Sequence, residues 1–364
     1  MTTLLTYAPA DVILQLEILT AQNPKHFKIA TIAEKEQLIQ SGQAHYSDFI
    51  QPETPPSEIQ MGIYRESLAR YRHKIAQGII ALSDHILRQP ESQKQPQIVL
   101  LSLIRAGLPL GVLLKRHLAR QRPVHHYGIS IIKDKGLDRA ALETIFARHP
   151  QAAYYCIDGW IGKGAITTNL RQSWQQHAAH IPMQLLTLSD PTCDLSDYSP
   201  YGGDWLIPFG ILGSPISGFI SRTLYQAYPQ PHASYYYDQI AQHYTPATAP
   251  FNHFITQIEQ EIPRATAPNL SHEHKIPHRQ LLAQLAQIQR QRQHHIADLN
   301  RFKPSIAEAT RAILRRQPEK VLIAPRNETP DLRLIKTLCA ERHIPLIHES
   351  LLDSTPYQVM TIIR

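Results

Sequence analysis

Between residues 98 and 190, short continuous apolar runs alternate with amphipathic stretches. IVLLSLI (98–104), VHHYGISII (124–132), AAYYCID (152–158) and MQLLTLSD (183–190) each read as a buried strand, and the segments between them carry helical periodicity. Strand–turn–helix units repeated in this way predict a parallel α/β sheet. Upstream, Ile63, Leu68, Ile75, Ile79, Leu82 and Ile86 recur at helical intervals and predict one long amphipathic helix over 59–88. Short elements are expected at 11–19 and 32–40, and the Pro-, Ala- and Thr-rich residues 240–270 read as a connector. Beyond it, Leu281, Leu285, Ile288, Ile296 and Leu299 keep helical spacing. A helix at 305–316, a strand at 320–324, a helix at 330–343 and strands near 345–348 and 357–363 then form a small α/β unit.

Composition sharpens this division. The chain has 364 residues, of which 43% are hydrophobic, so wholesale disorder is excluded; 18% charged residues argue against a coiled coil. The net charge of +7 lies entirely in residues 264–364, where 16 Lys and Arg face 9 Asp and Glu. Glycine shows the opposite bias: of 15 glycines the last is Gly218, and seven fall within 107–164. A neutral, glycine-using body thus precedes a basic tail without glycine.

The 17 uncharged residues at 205–221 contain Pro208 and Pro215 and fall short of the ~20 apolar residues of a membrane span, so a buried, turn-rich core segment is expected there. The N-terminus shows no signal-peptide pattern. The three scattered cysteines, Cys156, Cys193 and Cys339, form no CxxC pair, which fits a reducing cytoplasm and a protein without membrane contact.

In open α/β sheets ligands bind beyond the carboxyl ends of the strands. Two loops stand there, Arg105-Ala106-Gly107 and Asp158-Gly159-Trp160-Ile161-Gly162-Lys163-Gly164-Ala165. Glycines let backbone N–H groups approach an anion, and a following helix N-terminus adds positive potential. A Walker A loop is excluded, because two residues rather than four separate Gly159 from Gly162 and no Ser or Thr follows Lys163.

The segment YYCIDGWIGKGAIT resembles the signature of type I phosphoribosyltransferases, with Asp158 at the first acid and Gly164 at the signature glycine. It departs from that signature at Gly159, Gly162, Lys163 and Ile166. The runs EKEQLIQSGQAHYSD, SLIRAGLPLGVLLKR, HHYGISIIKDKGLDRAAL, CIDGWIGKGAI and ISGFISRTLY resemble the bacterial StiP family, associated with tellurite-resistance and stress gene clusters. The resemblance implies a parallel-sheet phosphoribosyltransferase-like α/β domain at 96–263, an N-terminal helical cap region at 1–95, and a small α/β Pelota/L7Ae-like RNA-binding domain at 264–364.

That resemblance implies Mg²⁺-dependent transfer from phosphoribosyl pyrophosphate or a related nucleotide. Asp158 would hold the ribose hydroxyls and, indirectly, the Mg²⁺. Gly159, Gly162, Lys163, Gly164 and Ala165 would cradle the 5′-phosphate, and Arg105, Ala106 and Gly107 the pyrophosphate. Lys133, Lys135 and Arg139 would close over the leaving group. The alternative is a degenerate, nucleotide-sensing RNA-binding protein; oligomers are compatible with either reading.

The family also carries the label cysteine protease. Cys156 lies inside an apolar strand, Cys339 in a helix, and Cys193 in a loop whose flanking acids disfavour a thiolate, so the residues argue against it. In the basic unit, Arg290, Arg292, Arg301, Lys303, Arg311, Arg315 and Arg316 supply phosphate-directed charge and are the expected RNA contacts. His272, His274, His278, His294 and His295 lack paired metal-ligand spacing and read as surface polar residues.

Overall fold

The computed structural model describes residues 4–268, 275–291, 301–316, 318–325 and 329–363. In the body the strands of interest are β1 (Ile13–Leu14), β2 (Glu17–Leu19), β3 (Gln97–Leu103), β4 (Val124–Ile129), β5 (Ala152–Trp160), β6 (Met183–Ser189), β7 (Ile220–Leu224) and β8 (Ala233–Tyr236). Five of them form one parallel sheet in the order β1–β4–β3–β5–β6. The architecture is thus mixed α/β around a central parallel sheet, with a small C-terminal unit.

Parallel strands covered on both faces need apolar side chains at every position. In β3, Ile98 and Leu100 belong to one core, while Val99, Leu101 and Leu103 belong to the other. The first core is covered by α1 (Glu58–Arg88), α2 (Gly107–Leu118) and α5 (Pro250–Glu261), the second by α3 (Arg139–Arg148) and α4 (Ala165–Ala178). Helix α1 starts where Ser57 accepts the Gln60 N–H at 3.2 Å, and its buried stripe is the one its spacing predicts.

The structure departs from two expectations. Residues 1–95 are not a helical cap: they contribute β1 to the edge of the main sheet and β2 to a second sheet, β7–β8–β2. That second sheet, short and buried, left no periodic signal long enough to read. The connector at 240–270 contains α5, whose Phe251, Phe254, Ile255 and Ile258 are buried in the body. Its Pro, Ala and Thr content masked that apolar face. Residues 205–221 do form a turn-rich core segment, with Trp205, Ile207, Phe209 and Ile211 buried.

The C-terminal unit carries β9 (Phe302–Pro304), α7 (Ile306–Arg315), β10 (Pro318–Ile323), α8 (Leu332–Glu341), β11 (Leu346–His348) and β12 (Val359–Ile363), preceded by α6 (His278–Gln291). Its sheet runs β9–β12–β10–β11. Leu281, Leu285 and Ile288 of α6 pack into its core, while Ile296 and Leu299 lie outside the described residues.

Polar contacts dock this unit on the body. Asp204 accepts the Ile306 and Gln358 N–H groups, both at 2.9 Å. Tyr357 donates to the Gly162 carbonyl at 2.8 Å, and Lys163 donates to the Phe302 carbonyl at 3.1 Å. Among the described residues, no helix is long and apolar enough to cross a membrane.

Candidate functional site

The docking leaves a cleft of about 450 Å³ between the carboxyl edge of the main sheet and the first turns of α7. That volume falls in the ~300–1,000 Å³ range of small-ligand sites. Its floor is Asp158, Trp160 and the loop 161–164; Lys303 and α7 close it from the opposite side. Strand β5 runs to Trp160, so Asp158 lies within the strand, two residues before its end. Gly164 turns the chain into α4 at φ +87°, and a Cβ there would meet Leu195 at 2.8 Å, which reserves the position for glycine.

Asp158 is partly buried, and its Oδ1 accepts the Gly159 N–H at 2.8 Å. Burial pushes its carboxyl up to about 7, opposed by the Gly159 N–H and Arg311. From the C-terminal unit Glu308 reaches across the cleft, accepting from Trp160 Nε1 at 3.4 Å and from Arg311 at 3.2 Å. The Arg311 guanidinium lies 5.5 Å from the Trp160 ring centre. A Cβ on Gly162 would stand 3.0 Å from Glu308 Cγ, so glycine makes room for the carboxylate.

Among the described residues, nine Lys and Arg side chains line the cleft against three carboxylates. Lys133, Lys163 and Arg222 come from the body; Arg301, Lys303, Arg311 and Arg316 come from the C-terminal unit. Burial lowers the Lys303 ammonium, with Arg316, Lys133 and Arg311 adding to the shift and Glu308 opposing it. Arg222 sits 4.7 Å from the Tyr46 ring centre. Burial lowers its guanidinium as well, and Arg311, Arg105 and Arg316 add to the shift. Cations of two folding units are thus held at mutual electrostatic cost around one space, an arrangement that an anion relieves.

The residues singled out from sequence divide in this frame. Asp158, Gly162, Lys163, Gly164, Ala165 and Lys133 line the cleft. Arg105 also reaches it, but its guanidinium is held by Glu53 at 2.8 Å and by the Ile220 carbonyl at 2.8 Å. Gly107 serves packing: a Cβ there would fall 2.1 Å from the Ile157 carbonyl oxygen. Gly159 likewise packs against Phe209, which would lie 2.8 Å from a Cβ. Lys135 stands over the Tyr225 ring, and Arg139 pairs with Glu143 at 2.8 Å beside a separate depression, so neither joins the cleft.

Of the expected RNA contacts, Arg301, Lys303, Arg311 and Arg316 face the cleft, whereas Arg290 is exposed on α6 away from its lining. Arg292 and the Arg315 side chain lie outside the described residues, as do His272, His274, His294 and His295. Among the described residues, no three His, Cys, Asp or Glu side chains gather as a metal site. Sequence reading missed Trp160, Arg222 and Glu308 as cleft residues. The signal for Arg222 was present, since it is the first charge after the uncharged 205–221 segment.

Cys156 and Cys339 are buried, and Cys193 is exposed. Burial pushes the Cys156 thiol far above its ordinary range and the Cys339 thiol up to about 11. The Cys193 loop is held by buried Asp190, which accepts from Thr192 N at 2.8 Å and Ser196 N at 2.7 Å. Cys193 N donates to the Ile276 carbonyl at 3.1 Å, and Asp194 accepts the His278 N–H at 2.9 Å. The start of α6 is therefore fastened beside this cysteine.

Comparison with known proteins bears on these features. A family model described as "Tellurite-like stress resistance cysteine protease StiP" matches residues 5–258, and one described as "PELOTA RNA binding domain" matches residues 281–364. A protein of Acinetobacter baylyi named "Cysteine protease StiP" is 35% identical over 358 residues, covering 93% of this chain and 90% of that protein. A solved complex of the cystine C-S lyase C-DES with its product cysteine persulfide aligns at a TM-score of only 0.24 and 11% identity, over 85% of this chain and 90% of that one. The expectation of phosphoribosyl transfer and of phosphoribosyl pyrophosphate as substrate is overturned. The family model and the Acinetobacter relative both carry a cysteine-protease description instead.

Proposed function

This chain belongs to the StiP family, and we propose that it is an RNA-binding member whose cleft between body and C-terminal unit grips RNA phosphate. The observation that carries this reading is the convergence of Lys133, Lys163 and Arg222 from one unit with Lys303, Arg311 and Arg316 from the other. The Pelota match over 281–364 supports the same class of partner. Phosphate contacts by Lys and Arg give affinity without base readout. The cleft has room for a nucleotide-sized group and not for a duplex, so single-stranded or looped RNA is the substrate class. Fluorescence anisotropy with a labelled RNA hairpin and the full chain tests it. Binding by the wild type, weakened about tenfold by Lys303→Ala, is expected; no binding by the wild type removes the reading.

The name carried by the family model and the Acinetobacter relative favours a second activity, thiol proteolysis. Cys193 is the exposed cysteine of the three, on a loop fixed by Asp190 and next to the segment bearing His278. A cysteine protease needs an accessible thiol with a base within reach. We assign the nucleophile to Cys193 and leave the base unassigned, since the His278 ring is already engaged, its Nε2 meeting the Lys163 carbonyl at 3.0 Å. Casein cleavage that iodoacetamide and Cys193→Ala both abolish is the expected result; cleavage surviving Cys193→Ala removes the assignment.

A further inference from the structure

Glu308 occupies an unusual place for an acid in the first turn of a helix. The ordinary role of such a residue is to face its own helix's N-terminal amides. Here Ser305 already accepts the Glu308 N–H at 3.2 Å, and Asp204 takes the Ile306 N–H at 2.9 Å. The Glu308 side chain instead crosses the interface, to Trp160 Nε1 at 3.4 Å and over the Gly162 backbone. There it sits among Arg311, Lys303 and Lys163, whose charges hold its carboxyl below the ordinary range against the opposing effect of burial.

We propose that the space bounded by Trp160, Gly162, Lys163, Lys303 and Arg311 is a phosphate subsite, and that the Glu308 carboxylate fills it as a built-in stand-in that an incoming RNA phosphate displaces. The inference rests on the RNA reading above. A carboxylate and a phosphate oxygen pair accept the same guanidinium and indole donors, so the two anions compete for Arg311 and Trp160. In the ligand-free protein Glu308 compensates cations that would otherwise repel one another. When RNA binds, the phosphate takes over that role and the carboxylate must swing out or take up a proton. Gly162 is the position that permits either occupant, because a side chain there would already crowd Glu308. Glu308 thereby sets the threshold of affinity: a weakly charged ligand does not displace it, and a polyanion does.

The test compares wild type and Glu308→Gln in anisotropy titrations with the same RNA hairpin, with inorganic phosphate as competitor. Removing one negative charge from the subsite is expected to tighten RNA binding about tenfold and to lower the phosphate concentration needed for competition. Unchanged or weaker binding by Glu308→Gln, with the wild type binding normally, overturns the inference and leaves the RNA reading standing. No binding by the wild type sinks both. If Glu308→Gln fails to fold, the wild type carries the test. RNA addition then changes tryptophan emission as Trp160 loses Glu308, and Trp160→Phe abolishes that change. The same change in Trp160→Phe overturns the inference.

Discussion

Asp204 of the body accepts the backbone N–H of Ile306 at 2.9 Å, and with it the C-terminal unit is fixed at the mouth of the cleft. The same carboxylate takes the Gln358 N–H at 2.9 Å, so one side chain satisfies two backbone donors of the other unit. Asp204→Ala leaves both donors without this partner, at about 1–3 kcal/mol for each group that stays buried. Thermal unfolding of Asp204→Ala should show a Tm several degrees lower, and the segment after residue 264 should be cut faster by trypsin. An unchanged Tm and cleavage rate would show that the docking does not depend on this residue.

Asp158 gives the cleft a pH dependence. Its carboxyl is pushed up to about 7, so below that pH it is protonated and uncharged, and above it a negative charge faces the bound phosphate. RNA affinity is therefore expected to fall several-fold as pH rises through 7. Asp158→Asn should hold affinity at its low-pH level across the same range. A wild-type profile flat in this window would contradict the assignment. Any slope that remains in Asp158→Asn belongs to Asp204, the docking carboxylate, which burial also pushes up to about 7.

The cleft cations make a separate prediction about salt. Each Lys or Arg that neutralises a phosphate contributes to the salt slope of binding. Arg316→Ala should weaken RNA binding similarly across sequences and reduce the slope by about 0.7. Arg139→Ala, outside the cleft, should leave both unchanged. Equal effects of the two substitutions would remove the cleft as the binding locus.

Cysteine accessibility offers a further check. Mass spectrometry after brief iodoacetamide treatment of the native protein should find Cys193 alkylated and Cys156 and Cys339 unmodified, since burial raises both of those thiols. Faster labelling of Cys156 or Cys339 would show that the body opens, and would reopen the choice of thiol.

The central sheet was legible because buried parallel strands are continuous apolar runs, as IVLLSLI and AAYYCID are. The second sheet was not, because β7 and β8 are short and carry buried Ser221, Thr223 and Ser234 in place of an apolar signature. Helix α5 was hidden by prolines around an apolar face of Phe251, Phe254 and Ile258 that only its partners reveal. In the site, Asp158, Lys163, Lys303 and Arg311 were legible as residue types in loops or basic stretches. Their meeting was not, since it depends on how the C-terminal unit docks. The glycines near 107 and 159 misled for a physical reason: close approach of backbone and side chains demands glycine just as an anion would.

The most direct test of the two-unit cleft is the salt dependence of RNA binding by the full chain. A plot of log affinity against log salt concentration should be linear, with a slope steeper than about −2, the value for roughly three phosphates contacted on a single strand. A slope near zero, or one that Lys303→Ala leaves unchanged, would contradict the account.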